Sequence, residues 1–186
     1  MKIVIDGNIG SGKTTQLNLL EGKGLNIHRE PIEKWPLELF YSDTRRWGLT
    51  FQLIVLETFQ EFAEVDGLHI HERCPLSSRE VFWKDLEKTP EEDQVYNWAF
   101  DHHGWKPDIY ILLNKHPQLC MDHIQTREQA GDTGVGIDLL TRLHGHYEVM
   151  FENLTCPKFM LDASETPEKI HENILDIIND LSASRM

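Results

Sequence analysis

Gly7-Asn8-Ile9-Gly10-Ser11-Gly12-Lys13-Thr14 follows directly on the apolar run Ile3-Val4-Ile5, and the reading of this stretch decides the fold. An apolar strand running into a glycine-rich turn that ends in Lys-Thr predicts a strand, a phosphate-binding loop and a helix in succession. The glycines let successive backbone N–H groups converge on one anion, Lys13 reaches the terminal phosphates, and the Thr14 hydroxyl is placed to ligate magnesium. A helix opening at Lys13 turns the positive end of its dipole toward the same point. Gly7 through Thr14, with the adjoining Thr15, are therefore read as the residues that hold the phosphates of a nucleotide such as ATP.

Outward from this loop, apolar runs recur at Ile3 to Ile5, Leu25 to Ile27, Leu68 to Ile70, Ile109 to Leu113 and Phe159 to Leu161, separated by segments of helical periodicity. That alternation predicts an α/β fold with a five-stranded parallel sheet wrapped by helices, in a single domain spanning residues 1–186. Trp47, Phe51, Ile54, Val55, Thr58, Phe59 and Phe62 fall at three- and four-residue steps and predict one long helix with an apolar face. Pro90 followed by Glu91, Glu92 and Asp93 predicts a helix start, which Gly104 and Pro107 terminate, and Ser164 to Pro167 opens a last helix from about Glu168 to Leu181. Gly131-Asp132-Thr133-Gly134-Val135-Gly136, just after Arg127, interrupts two helices and is read as a hinged lid over about 127–136.

Composition narrows the partners. Eighteen Lys and Arg against 31 Asp and Glu give a formal charge of −13, which opposes binding along a nucleic-acid backbone or an anionic membrane. The phosphates of ATP then need a local cationic pocket. Cys74, Cys120 and Cys156 are odd in number and widely spaced, which suits a reducing compartment. A strand beginning at the second residue leaves no room for a signal peptide, so a cytoplasmic protein is expected. Paired histidines at His69 with His71, His102 with His103 and His144 with His146 lack a third ligand at metal spacing, and are read as solvated or hydrogen-bonded.

Two acids stand at predicted strand ends, in Glu30-Pro31-Ile32-Glu33-Lys34-Trp35 and in Glu72-Arg73-Cys74-Pro75. Open parallel sheets bind ligands at the carboxyl ends of their strands, so both acids share an edge with the phosphate loop. One carboxylate there can orient a hydroxyl nucleophile and another can hold magnesium.

With these residues the chain resembles the deoxynucleoside kinase family. The shared pattern runs from Gly-Asn-Ile-Gly-Ser-Gly-Lys-Thr-Thr through Glu-Pro-Ile-Glu-Lys-Trp, Glu38-Leu39-Phe40-Tyr41, Trp47 with Phe51-Gln52, Glu72-Arg73, Arg79, Phe82 and Pro107 to Leu113, ending near Leu161-Asp162-Ala163. The resemblance implies that Glu30 is the base facing a nucleoside 5′-hydroxyl, with Arg73 beside it. It implies that Glu72 completes the magnesium site with Thr14, and that Lys13 and Arg127 hold the donor. A guanidinium beside Glu30 favours its ionised form.

The resemblance further implies a base pocket formed by Gln52, Trp35, Val55, Phe59, Ser78 and Phe82, with Tyr41 and Asp132 on the sugar 3′-hydroxyl. A primary amide offers donor and acceptor side by side and by flipping can match thymine or cytosine, so Gln52 argues for a pyrimidine without choosing one. Purine-capable members carry an arginine and an aspartate where this chain has Phe59 and Ser78, which favours thymidine or deoxyuridine over deoxyguanosine. Family members are commonly homodimers, so a homodimer is expected. Where the family lid is arginine-rich, this chain has Arg127 nearly alone, with His123 and Gln129 at two such positions.

Two other readings compete. His28-Arg29-Glu30-Pro31 is similar to the Arg-Glu-Pro element of thymidylate kinases, but those usually continue with glycine, and Ile32 follows here. Asn114-Lys115-His116-Pro117 is similar to the guanine-reading element of nucleotide switches, yet Pro117 lacks the carboxylate.

Overall fold

The computed structural model describes residues 1–63, 66–127 and 134–183, the last three as backbone only. The chain runs β1 (Lys2–Asp6), α1 (Lys13–Glu21), β2 (Asn26–His28), a 3₁₀ turn (Ile32–Lys34), α2 (Leu37–Ser42), α3 (Thr44–Gln60) and β3 (His69–Glu72). It continues through α4 (Pro75–Ser77), which widens into a π-helical turn (Ser78–Trp83), then α5 (Pro90–His103), β4 (Ile109–Asn114), α6 (Pro117–Arg127), α7 (Ile137–Asn153), β5 (Lys158–Asp162) and α8 (Pro167–Ala183).

All five strands pair in parallel, in the order β2-β3-β1-β4-β5. The period of two in β1 sorts its side chains between two helical layers. Ile3 and Ile5 face α1 and α8, packing with Leu17, Leu20, Ile170, Ile174 and Ile178. Val4 faces the opposite layer, with Phe51, Val55 and Phe59 of α3 and Leu143, Tyr147 and Met150 of α7. Each such fully buried aliphatic side chain contributes about 1.5–3 kcal/mol. A smaller cluster of Leu56, Trp83, Tyr96, Ala99 and Phe100 ties α3 to α5.

The chain leaves β1 toward β2 on one side of the sheet and later returns on the other side through β4. The crevice at the carboxyl end of β1 is therefore where ligand-binding loops converge.

The strand and helix expectations hold with local shifts. β2 begins one residue later than the apolar run suggested. α3 is capped at Asp43, whose side chain accepts from the Arg46 N–H at 3.0 Å, and ends at Gln60. Phe62 continues the spacing but lies beyond the helix, where its ring packs 4.3 Å from that of His28. α5 opens with a reciprocal box: Thr89 Oγ1 accepts from Glu92 N–H, and Glu92 Oε2 accepts from Thr89 N–H. Of the expected lid, residues 128–133, with Gln129, Gly131, Asp132 and Thr133, lie outside the described residues, while Gly134 and Gly136 lead into α7.

Candidate active site

The loop after β1 depends on two glycines for close approach. A Cβ at Gly7 would stand 2.6 Å from the Leu113 carbonyl oxygen, and one at Gly10, where φ is +81°, would stand 2.6 Å from the Cys120 carbonyl oxygen. The second position combines a left-handed backbone with backbone contact, so only glycine fits. Lys13 Nζ donates to the Gly7 and Asn8 carbonyls, both at 2.9 Å. Asn8 ties the loop to α7 through Nδ2 to the Leu140 carbonyl at 2.8 Å, and His123 Nδ1 donates to the Gly10 carbonyl at 2.9 Å. Burial and the nearby Arg73 bring the Lys13 pKa down to about 8, against the opposing pull of Glu72, Glu30 and Asp6. Lys13 is thus mostly cationic at neutral pH.

β2 and β3 deliver the acidic side. Glu30, two residues past β2, pairs with Arg73 Nη1, and both side chains are buried. Arg73 holds a left-handed backbone with φ 59°, unusual for a non-glycine residue and characteristic of functional positions. Its Nε donates to the Tyr147 hydroxyl at 3.2 Å and lies 3.6 Å from Asp6 Oδ1, which also accepts from the Tyr147 hydroxyl at 2.7 Å. The guanidinium lies over the Phe82 ring, 4.8 Å from its centroid.

Burial pushes the Glu30 carboxyl up to about 7, more strongly than Arg73 pulls it down. The guanidinium does favour the ionised form, as the sequence suggests, but desolvation dominates. For Arg73, burial works against the charge, and Glu30, Tyr147 and Asp6 outweigh it and hold the pKa well above the ordinary value. Glu72, at the end of β3, is also buried, and its carboxylate has no hydrogen bond or ion pair among the described residues.

These groups border one cavity of about 390 Å³. Ile9, Gly10, Gly12, Lys13, Thr14, Thr15, Glu30, Trp35, Tyr41, Gln52, Val55, Glu72, Arg73, Phe82 and Arg127 all line it. Gly7 and Asn8 support the loop from behind, and Ser11 faces an adjoining cavity of about 180 Å³, shared with Gly12, Thr15, Lys115, His123 and Glu165. Phe59 and Ser78 do not line the main cavity. Phe59 is turned into the core against Trp105, whose Nε1 donates to the Phe59 carbonyl at 2.8 Å, and Ser78 stands behind Gln52. Asp132 lies outside the described residues.

Sequence reasoning missed Phe51, which stacks on Phe40 at 4.3 Å, and Leu139 and Leu143 of α7, all on the cavity wall. Phe51 carries the helical spacing that marks core residues, so periodicity alone could not separate it from the wall. Asp85, also on the wall, accepts from Arg142 at 2.8 and 3.1 Å.

Magnesium suits the donor set. Among the described residues no group of three or more His, Cys, Asp or Glu side chains could hold a metal. Magnesium, however, is usually bound by one or two protein oxygens together with phosphates, and the Thr14 hydroxyl and unpartnered Glu72 carboxylate are hard oxygen donors on the same cavity.

A phosphate loop at the head of a parallel sheet, bordering one cavity together with a buried acid–arginine pair whose Arg73 Nη2 donates to the Gly7 carbonyl at 3.4 Å, defines a nucleotide-dependent phosphotransferase. The profile of the deoxynucleoside kinase family matches residues 3–183, and the chain belongs to that family of kinases. Protein 029R of Invertebrate iridescent virus 3 is 31% identical over 189 residues, covering 96% of each chain. The human mitochondrial thymidine kinase 2 is 27% identical over 194 residues, covering 91% of this chain and 73% of its own. Among solved structures, a deoxyadenosine kinase from M. mycoides, with dCMP and dCDP bound, superposes with a TM-score of 0.84 at 22% identity, over 97% of this chain and 100% of that one. No helix among the described residues is long and apolar enough to cross a membrane.

Proposed function

We propose that this kinase transfers a phosphoryl group from ATP to the 5′-hydroxyl of a pyrimidine deoxynucleoside, thymidine foremost and deoxycytidine second, as a step of nucleotide salvage. The observation that carries the reading is the buried Glu30–Arg73 pair on the same cavity as Lys13 and Gln52. An alcohol is far too weak an acid to be deprotonated beforehand, so Glu30 accepts its proton as the bond to phosphorus forms, while Arg73 and Lys13 stabilise the transferring charge. Magnesium, held by Thr14 and Glu72, would supply charge neutralisation at the donor phosphates.

Gln52 reads the base edge, Phe82 stacks on the base, Trp35 packs at its edge, Val55 packs beside it, and Tyr41, with Asp132, takes the 3′-hydroxyl. Phe59 and Ser78 act from behind this wall. Arg127 reaches the donor, whose base has room in the adjoining cavity beside Lys115 and Glu165. A homodimer through helical faces is part of the same reading; exposed Val95 and Trp98 on α5 supply apolar surface for it.

Steady-state phosphorylation of the four deoxynucleosides, with thymidylate beside them, tests the proposal. Pyrimidine nucleosides are expected to lead; thymidylate as the better acceptor, or a purine nucleoside matching thymidine, would overturn it.

A further inference from the structure

Gln52 is held from behind. Its Oε1 accepts a 2.9 Å hydrogen bond from the Ser78 hydroxyl, and Ser78 Oγ lies 2.8 Å from the Tyr96 hydroxyl. Tyr96 is fully buried in α5, its ring stacked on Trp83 at 4.5 Å. Its hydroxyl has no other hydrogen-bond partner among the described residues, and neither has the Gln52 side chain.

Donor counting sets the direction of this chain. A serine hydroxyl has one proton, and an amide oxygen only accepts. With Ser78 donating to Gln52, the Tyr96 proton goes to Ser78 and every member is satisfied. Reversing the amide makes its nitrogen donate to Ser78, so the two contacts of Ser78 then face three donor protons, and the proton of either Ser78 or Tyr96 is stranded in the core. An unsatisfied buried donor is costly. Burial also raises the Tyr96 pKa to about 12, so the phenol remains a donor throughout the neutral range.

The consequence lies in what a base edge requires. Thymine presents an N–H beside a carbonyl, and needs the amide oxygen opposite its N3. Cytosine presents a ring acceptor beside an amino group, and needs the amide nitrogen there. Guanine repeats the thymine pattern and adenine the cytosine pattern. A freely turning glutamine serves both classes. We propose that the Tyr96–Ser78 relay locks the Gln52 amide in one orientation and so makes the enzyme choose between oxo bases and amino bases. Tyr96 and Ser78 do not line the cavity and are positioning residues acting through Gln52. The proposal rests on Gln52 as the base contact.

The test is the ratio of kcat/KM for thymidine and deoxycytidine in the wild type, Ser78→Ala and Gln52→Ala. A ratio taken on one preparation is independent of the fraction of active protein, so partial misfolding does not enter. The wild-type ratio should depart from one by about tenfold or more, since the wrong base leaves buried polar groups unpaired. Ser78→Ala, which removes the donor that fixes the amide, should bring it back toward one by about fivefold, the worth of a typical hydrogen bond. The change should fall in KM of the disfavoured nucleoside, because the base is held equally in ground and transition states. A wild-type ratio near one, or a ratio that Ser78→Ala leaves alone while Gln52→Ala impairs both substrates, overturns the lock. Gln52→Ala without effect on either substrate overturns the base contact and the lock together.

Discussion

At the scale of single residues, the opposition between burial and pairing at Glu30 sets the working pH. Its carboxyl titrates at about 7 rather than at the ordinary 4.5, because desolvation outweighs Arg73. The ionised form is the base, so activity should rise as pH increases through about 7 and fall below it. Glu30→Gln should retain ATP binding and lose about 100-fold or more in kcat, the usual range for a lost general base. A pH–rate profile whose acid limb sits near 4.5 would show that burial does not govern this carboxyl, and near-normal turnover in the variant would remove Glu30 from the role of base. These residues were legible because they sit in motifs whose chemistry demands them: Lys13 behind a glycine loop, and Glu30 and Glu72-Arg73 at strand ends. The height of the Glu30 pKa was not, since burial is a property of everything packed around the site.

Among the elements, the loop after β1 and the helices behind it carry the donor side. At Gly10 an added methyl meets the Cys120 carbonyl of α6 in a left-handed backbone, so the loop or α6 must yield. Gly10→Ala should weaken ATP binding at least about tenfold, the equivalent of 1.4 kcal/mol, while the variant stays folded by thermal melting. Unchanged ATP affinity by calorimetry would mean that the loop relaxes freely. The order of strands and helices was readable because β1 and β4 are buried on both faces and α3 and α7 keep a clear apolar stripe. The end of α3 was not, because Phe62 keeps the helical spacing while packing on His28 instead. Nor does resemblance to a family reveal that Phe59 turns toward Trp105, or that a wide turn over Ser78–Trp83 puts Ser78 behind Gln52. Side-chain direction depends on local helix geometry that residue identity leaves open.

For the molecule as a whole, β2 and β3 bury a histidine stack that should make it acid-sensitive. His71 lies 4.6 Å from His28 and 4.9 Å from Trp105, ring centroid to centroid, and neither of its nitrogens has a hydrogen-bond partner among the described residues. Burial, with His28 and His69 nearby, lowers its pKa to about 3 from 6.5. The unfolded chain therefore takes up the proton first as pH falls. Stability from His71 is complete well above 6.5 and declines below it, by about 2 kcal/mol between pH 6.5 and 4.5. Glu30 acts in the opposite sense over much of this window, so the readout is the difference between His71→Leu and the wild type in urea unfolding at pH 7.5 and 5. The variant should lose less stability on acidification; an equal loss would place the sensitivity elsewhere. The ties that cross the molecule have a kinetic meaning as well. The phosphate loop lies early in the chain, yet Asn8 is anchored by Leu140, Asp6 by Tyr147 and Gln16 by the Pro167 carbonyl, across separations of 132, 141 and 151 residues. Such long closures come late in folding. A fragment ending before α7 would carry the entire motif without its supports, so nucleotide capture should mark the last stage of assembly rather than the first.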